Sequence, residues 1–150
     1  MTTNFIMNAT ETRIEPNSRS NSASPRILVV DDEQALQLLA SAIIKKLGFE
    51  ADAASSGEEA VERFRTASLS GHGYSVVVMD LALPGGISGL EATLAIKQID
   101  GNARVIVSSG YLEQNARNAA LEHGFAGILP KPYTAERLAS ELRWVLKNAE

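Results

Sequence analysis

The 150-residue chain contains no cysteine, so it has no disulfide, no thiolate nucleophile and no cysteine-ligated zinc. That absence fits the reducing cytoplasm, which is the location expected for it. No stretch comes near the roughly 18 apolar residues of a membrane span, and the N-terminus lacks the apolar core of a secretion signal. A basic excess is also missing: 14 Lys and Arg face 18 Asp and Glu, a net charge of −4. No global field gathers nucleic acid, and neither nucleic acid nor membrane is expected as a partner. The two histidines, His72 and His123, lie far apart without ligand spacing and read as surface residues. Gly71-His72-Gly73 and Gly85-Gly86 are not followed by the Gly-Lys-Ser/Thr of a phosphate loop. No internal repeat is evident.

What is present suits one domain with its own core. Residues 1–25 are rich in Ser, Thr and Asn without sustained apolar period, and read as a disordered tail. Met7 offers a later start, and Asn8-Ala9-Thr10 carries no meaning as a glycosylation acceptor in a cytosolic protein. From Arg26 to Asn148 apolar runs alternate with amphipathic stretches. Ile27–Val30 reads as a first strand, followed by a helix with the stripe Leu36, Leu39, Ile43 and Leu47, stopped at Gly48. Glu50–Ala54 is more polar, as suits an edge strand. A second helix opens at Ser56-Gly57-Glu58-Glu59 and runs to about Leu69, and Tyr74–Met79 is the most apolar, central strand. A third helix ends near Ile99, Val105–Ser108 is a fourth strand, and a fourth helix spans roughly Leu112 to His123. Ala126–Leu129 is a short fifth strand, and Thr134 caps a last helix with the stripe Leu138, Leu142, Val145 and Leu146. Trp144 on that helix is expected to be half-buried. Five strand–helix units with short connections predict a parallel sheet covered by helices on both faces.

Each strand other than the edge strand ends in a polar group. Asp31 and Asp32 close the first, Asp80 closes Val76-Val77-Val78-Met79, Ser108 and Ser109 end the fourth, and Lys131 follows the fifth. Ligands of open α/β sheets bind beyond the carboxyl ends of the strands, where the strand order reverses. If the first and third strands are neighbours, as the order 2-1-3-4-5 requires, three carboxylates converge there. They repel unless positive charge joins them. Mg²⁺ takes oxygen ligands and is held by one or two carboxylates plus phosphate oxygens. Lys131 adds a fixed charge, the Ser109 hydroxyl donates to a phosphoryl oxygen, and an aspartate is an accepted phosphoryl acceptor. Singly these residues read as a helix cap, turn serines and a solvated loop lysine. Their ordered combination is specific.

At these residues the chain resembles the receiver domain of two-component response regulators. Ile27-Leu28-Val29-Val30-Asp31-Asp32-Glu33 is similar to that family's acidic-pair strand, and Val77-Val78-Met79-Asp80-Leu81-Ala82-Leu83-Pro84 to its phosphoacceptor strand. Val105-Ile106-Val107-Ser108-Ser109-Gly110 resembles the strand ending in the switch hydroxyl, and Leu129-Pro130-Lys131-Pro132-Tyr133 the Lys-Pro-aromatic segment with its cis-prone bond. The resemblance covers residues 26–148. It implies a flavodoxin-like, doubly wound five-stranded parallel sheet with five helices. It further implies phosphorylation of Asp80, Mg²⁺ held by Asp32 directly, by Asp31 through water, by Asp80 and by the Ala82 carbonyl, and Ser109 and Lys131 pairing with the phosphoryl group. The implied partners are a histidine kinase or histidine phosphotransfer protein as donor and a further protein as target, with the chain a monomer or weak homodimer.

The chain departs from the family in places. Ile128 stands three before Lys131, where an aromatic is common, and Tyr111 is the candidate substitute. The Pro84-Gly85-Gly86-Ile87-Ser88-Gly89 loop is one residue longer than usual and resembles receivers attached to hybrid histidine kinases. Ala82 offers no hydrogen bond to a hydrolytic water and Tyr111 shields it, so slow self-dephosphorylation is expected. Two other functions compete. A Mg²⁺-dependent phosphohydrolase needs a second carboxylate two residues past Asp80, where Ala82 stands. A receiver-like interaction module that is never phosphorylated has no use for the complete acidic, hydroxyl and lysine set. The expectation is therefore a signalling domain and not an enzyme.

Overall fold

The protein is described by a computed structural model over residues 24–110 and 116–148. The tail up to residue 23 and Tyr111 lie outside the described residues. Five parallel strands, β1 (Arg26–Val30), β2 (Glu50–Ala54), β3 (Val76–Asp80), β4 (Val105–Ser109) and β5 (Gly127–Pro130), form one sheet in the order β2-β1-β3-β4-β5. Between and after them run α1 (Gln34–Lys46), α2 (Gly57–Ser70), α3 (Gly89–Ile99), α4 (Ala116–Glu122) and α5 (Ala135–Lys147). The polar strand Glu50–Ala54 takes the edge, and β3 is buried along its whole length.

Alternation along the strands splits the core into two layers, because successive side chains point to opposite faces. Leu28, Val30, Val77, Met79, Val105 and Val107 meet Ala60 and Phe64 of α2 and Ala92 and Ile96 of α3. Ile27, Val29, Val76, Val78 and Ile106 meet Ala40 and Ile44 of α1 and Leu138, Leu142 and Val145 of α5. Each fully buried branched side chain contributes about 1.5–3 kcal/mol.

The sequence pattern of α1 needs correcting. Its buried centre is Ala40 and Ile44, while Leu39 is 51% exposed. The small Ala40 lets the helix lie close to the sheet, and its i+4 partner Ile44 completes the contact. Leu39, one residue away and so about 100° round the helix, faces out. Strand β3 begins at Val76 rather than Tyr74. Tyr74 instead gives its hydroxyl proton to Asp52 Oδ2 at 2.7 Å, and its ring lies under the Arg26 guanidinium at 4.6 Å. Arg26 also donates to Asp52 Oδ2 at 2.7 Å and to the His72 carbonyl at 2.6 Å. The described start of α4 is Ala116, and β5 runs one residue later than its apolar pattern suggests.

Burial pushes the Tyr74 hydroxyl up to about 12, helped by the hydrogen bond to Asp52. Burial also works against the Asp52 carboxylate, but the Tyr74 and Arg26 hydrogen bonds outweigh it and hold the group below its ordinary value. A depressed carboxyl stabilises the fold above its unfolded pKa, about 3.9, and that contribution is lost as pH falls through the folded value. A raised tyrosine stabilises below pH 10 and loses its contribution as pH climbs towards 12. Asp52→Asn is therefore expected to flatten the acid limb of Tm against pH, and Tyr74→Phe the alkaline limb. Each should cost at most about 1 kcal/mol at pH 7 given the partial exposure of the network. Thermal unfolding followed by circular dichroism across pH 3–12 measures both, and unchanged limbs in the variants would refute the assignment.

Candidate functional site

The carboxyl ends of β1, β3, β4 and β5 bring the singled-out residues to one rim of the sheet. Strand β1 pairs with both β2 and β3, so Asp31 and Asp32 open beside Asp80. One carboxylate oxygen from each of the three lies within 4.8 Å of the others. Asp31 and Asp80 are buried, and Asp32 is exposed. Lys131, just past β5, sends its Nζ to Asp31 Oδ2 at 2.8 Å and to Asp80 Oδ2 at 3.0 Å.

Burial works to lower the Lys131 pKa, but its bonds to Asp31 and Asp80 and their charges overcome this and raise it. The ammonium is therefore fixed. Beside it, burial and the Asp31 charge push the Tyr133 hydroxyl up to about 12. Three carboxylates against one ammonium leave the cluster short of positive charge. Its all-oxygen donor set with one solvent-facing member fits a hard divalent cation that keeps part of its water.

Backbone groups hold the acids in place. Glu33 N–H donates to Asp31 Oδ1 and Ala82 N–H to Asp80 Oδ1, each at 2.9 Å, the short side-chain-to-backbone turn typical of aspartate. Ser109 ends β4 in register with Pro130 and is 6% exposed; its carbonyl accepts from Lys131 N–H at 2.9 Å. Ser108, in register with Asp80, has its Oγ buried with no partner among the described residues. The Lys131–Pro132 bond is cis, as its sequence context suggests. Ala82 is exposed, two residues beyond Asp80. Ile128 is buried on the α2–α4 side of the sheet. His72 is half-buried beside Glu50, and His123 is exposed just past α4 with its ring against the Ala119 carbonyl.

Three supporting residues escaped the sequence pattern. Gln37 of α1 bridges the Ala54 carbonyl at 3.2 Å and Ser55 Oγ at 3.0 Å while also donating to the Asp31 carbonyl. Glu58 of α2 accepts the Ile87 N–H at 2.9 Å, across a loop turned back by Gly85 and Gly86 at φ 68° and 53°. Gly89 seats the start of α3 against the Asp80 carbonyl, where a Cβ would overlap that oxygen. The capping pair Ser88 and Glu91, which opens α3, does carry a signature visible in sequence.

Removing one partner of a largely buried ion pair costs roughly 3–5 kcal/mol because a charge is left uncompensated. Lys131→Ala is expected near the lower end of that range. Adding Asp80→Asn in the same background should return part of the loss, since it relieves the Asp31–Asp80 repulsion. A double-mutant cycle by urea denaturation measures this, and strictly additive effects would contradict the electrostatic account.

Comparison with known proteins finds relatives in sequence and in fold. The family model described as "Response regulator receiver domain" matches residues 27–143. The chemotaxis protein CheY of Bacillus subtilis (strain 168) is 34% identical over 122 residues, covering 81% of this chain and 97% of that protein. The autoinducer 1 sensor kinase/phosphatase LuxN of Vibrio campbellii is 29% identical over 140 residues, covering 92% of this chain and 16% of the kinase. Among solved structures, the CheY-like receiver domain protein of Methanospirillum hungatei JF-1 superposes with TM-score 0.73 at 20% identity, covering 85% of this chain and 97% of that one, a likeness of fold.

Proposed function

Since the chain belongs to the response regulator receiver domain family, we propose that it is a phosphorylation switch whose acceptor is Asp80. The observation that carries this reading is the Lys131 ammonium bonded to both Asp31 and Asp80 at the open ends of the strands. In the proposed reaction an Asp80 oxygen attacks the phosphorus of a phosphohistidine. The new P–O bond forms as the P–N bond breaks, and the imidazole leaves with the electron pair. Lys131, already 3.0 Å from Asp80 Oδ2, follows the charge onto a phosphoryl oxygen. Ser109, at the end of the neighbouring strand, donates its hydroxyl to another. Asp31, Asp32, Asp80 and the Ala82 carbonyl would hold Mg²⁺, which would supply positive charge next to the phosphoryl oxygens.

The donor in this reading is a histidine kinase or a histidine phosphotransfer protein, and the readout is contact with another protein or onward transfer, in the cytoplasm. Catalysis beyond the domain's own phosphorylation and dephosphorylation is not part of it. Ala82 supplies no acid or base two residues past Asp80, which disfavours phosphohydrolase turnover.

Incubation with acetyl phosphate and Mg²⁺ is expected to add one phosphoryl mass to the intact chain, and none to Asp80→Asn. Absence of the adduct in the native protein, with Asp80→Asn functionally silent, would leave a receiver-shaped interaction module instead. The exposed Ala82 methyl cannot orient an attacking water, so Ala82→Asn should shorten the phosphoryl lifetime several-fold. Single-turnover decay of the phosphorylated protein measures it, and an equal or longer lifetime would refute that role.

A further inference from the structure

The α4–β5–α5 face holds a buried charge that the phosphoryl chemistry does not use. Glu141 of α5 is 4% exposed. Its carboxylate takes a two-pronged fork from Arg117 of α4, Nη2 on Oε1 at 2.8 Å and Nη1 on Oε2 at 3.1 Å. The Ile128 N–H of β5 adds a third bond to Oε2 at 3.0 Å. Gly127 makes this approach possible, because a Cβ there would overlap Glu141 Oε2. One carboxylate thus ties two helices and a strand. The Arg117 guanidinium also lies 4.9 Å from the ring centroid of Trp144, the single tryptophan of the protein, which is 41% exposed.

Both tied elements lead back to the phosphoryl side of the site. Arg117 is eight positions after Ser109, on the helix that follows β4, and Ile128 precedes Lys131 by three positions on β5. Ser109 and Lys131 are themselves joined by a backbone hydrogen bond. The Ile128 side chain is packed in the core and carries no ring to swing. Its N–H, held by Glu141, connects β5 to the ion pair.

We infer that the Arg117–Glu141 pair is a latch, closed while Lys131 is bonded to Asp80 and opened when the site carries a phosphoryl group, so that Arg117 leaves the face of Trp144. This rests on the proposed phosphorylation of Asp80. A buried carboxylate does not lose a forked partner by degrees, since each lost donor leaves charge uncompensated. The pair therefore behaves as a two-state element, of the kind that turns a small displacement into a switch. Linkage fixes the converse: if loading opens the latch, a weakened latch favours loading.

The test uses the full chain, with beryllofluoride and Mg²⁺ as phosphoryl analogue and acetyl phosphate with Mg²⁺ as donor. Loading should change the Trp144 emission of the native protein. Arg117→Lys keeps the charge but loses the fork, so it should emit like the loaded native protein without ligand and bind beryllofluoride at least about fivefold tighter by calorimetry. Glu141→Gln should move both readouts in the same direction, and serves if Arg117→Lys fails to fold by circular dichroism. A purely structural pair would lower stability and leave the affinity unchanged, and that result overturns the latch. Full loading with a silent Trp144 also overturns it, alone. If neither probe loads the native protein, the Asp80 reading fails and the latch falls with it.

Discussion

The Lys131 ammonium, seated between Asp31 and Asp80, sets the terms for the rest of the molecule. Unit charges about 4 Å apart interact with roughly 4 kcal/mol at an effective dielectric of 20. Two buried carboxylates at this spacing are therefore tolerable only with a cation among them. The condition is topological as well as electrostatic. Asp31 and Asp80 leave adjacent strands, but β4 separates β5 from β3. Strands lie about 4.8 Å apart, so the cation must come on a long side chain beginning past the end of β5. Lysine at position 131 meets that demand, and Ser109 at the end of the intervening strand lies on the way.

The sheet that delivers these groups needs apolar side chains on both faces, and β1, β3 and β4 provide them. Their alternation divides cleanly between the α1–α5 layer and the α2–α4 layer. Rigid strands make good mounts for charged groups because their ends cannot shift without unpacking two layers at once. The loops are tied down separately: Glu58 secures the turn after β3, and Gln37 secures the ends of β1 and β2. At the opposite rim, Arg26, Asp52 and Tyr74 close the sheet with a second charge network far along the strands from the aspartates.

The forked Arg117–Glu141 pair is a third electrostatic node, and it differs from the other two in what it joins. The acidic cluster gathers groups at one rim and the Arg26 network gathers them at the other. Glu141 instead links α4, β5 and α5 through one buried carboxylate. Ile128, whose side chain is buried, contributes its N–H to that link.

The sequence by itself determined the strand and helix order, the edge position of Glu50–Ala54, the cap at Thr134 and the ordered aspartates, serine and lysine at the strand ends. These are local facts: apolar runs, turn residues and caps act over a few positions. Tertiary structure decided which face of α1 is buried, moving Leu39 out and Ala40 in, because that depends on how closely the helix lies on the sheet. It alone seated Tyr74 against Asp52, brought Glu58 to Ile87, and placed Glu141 between Arg117 and Ile128. Each of these pairs is between 13 and 29 positions apart in the chain. Nothing in the flanking residues marks a partner at that separation. Only the packing of one element on another chooses which polar groups lose water together, and so which of them must find each other.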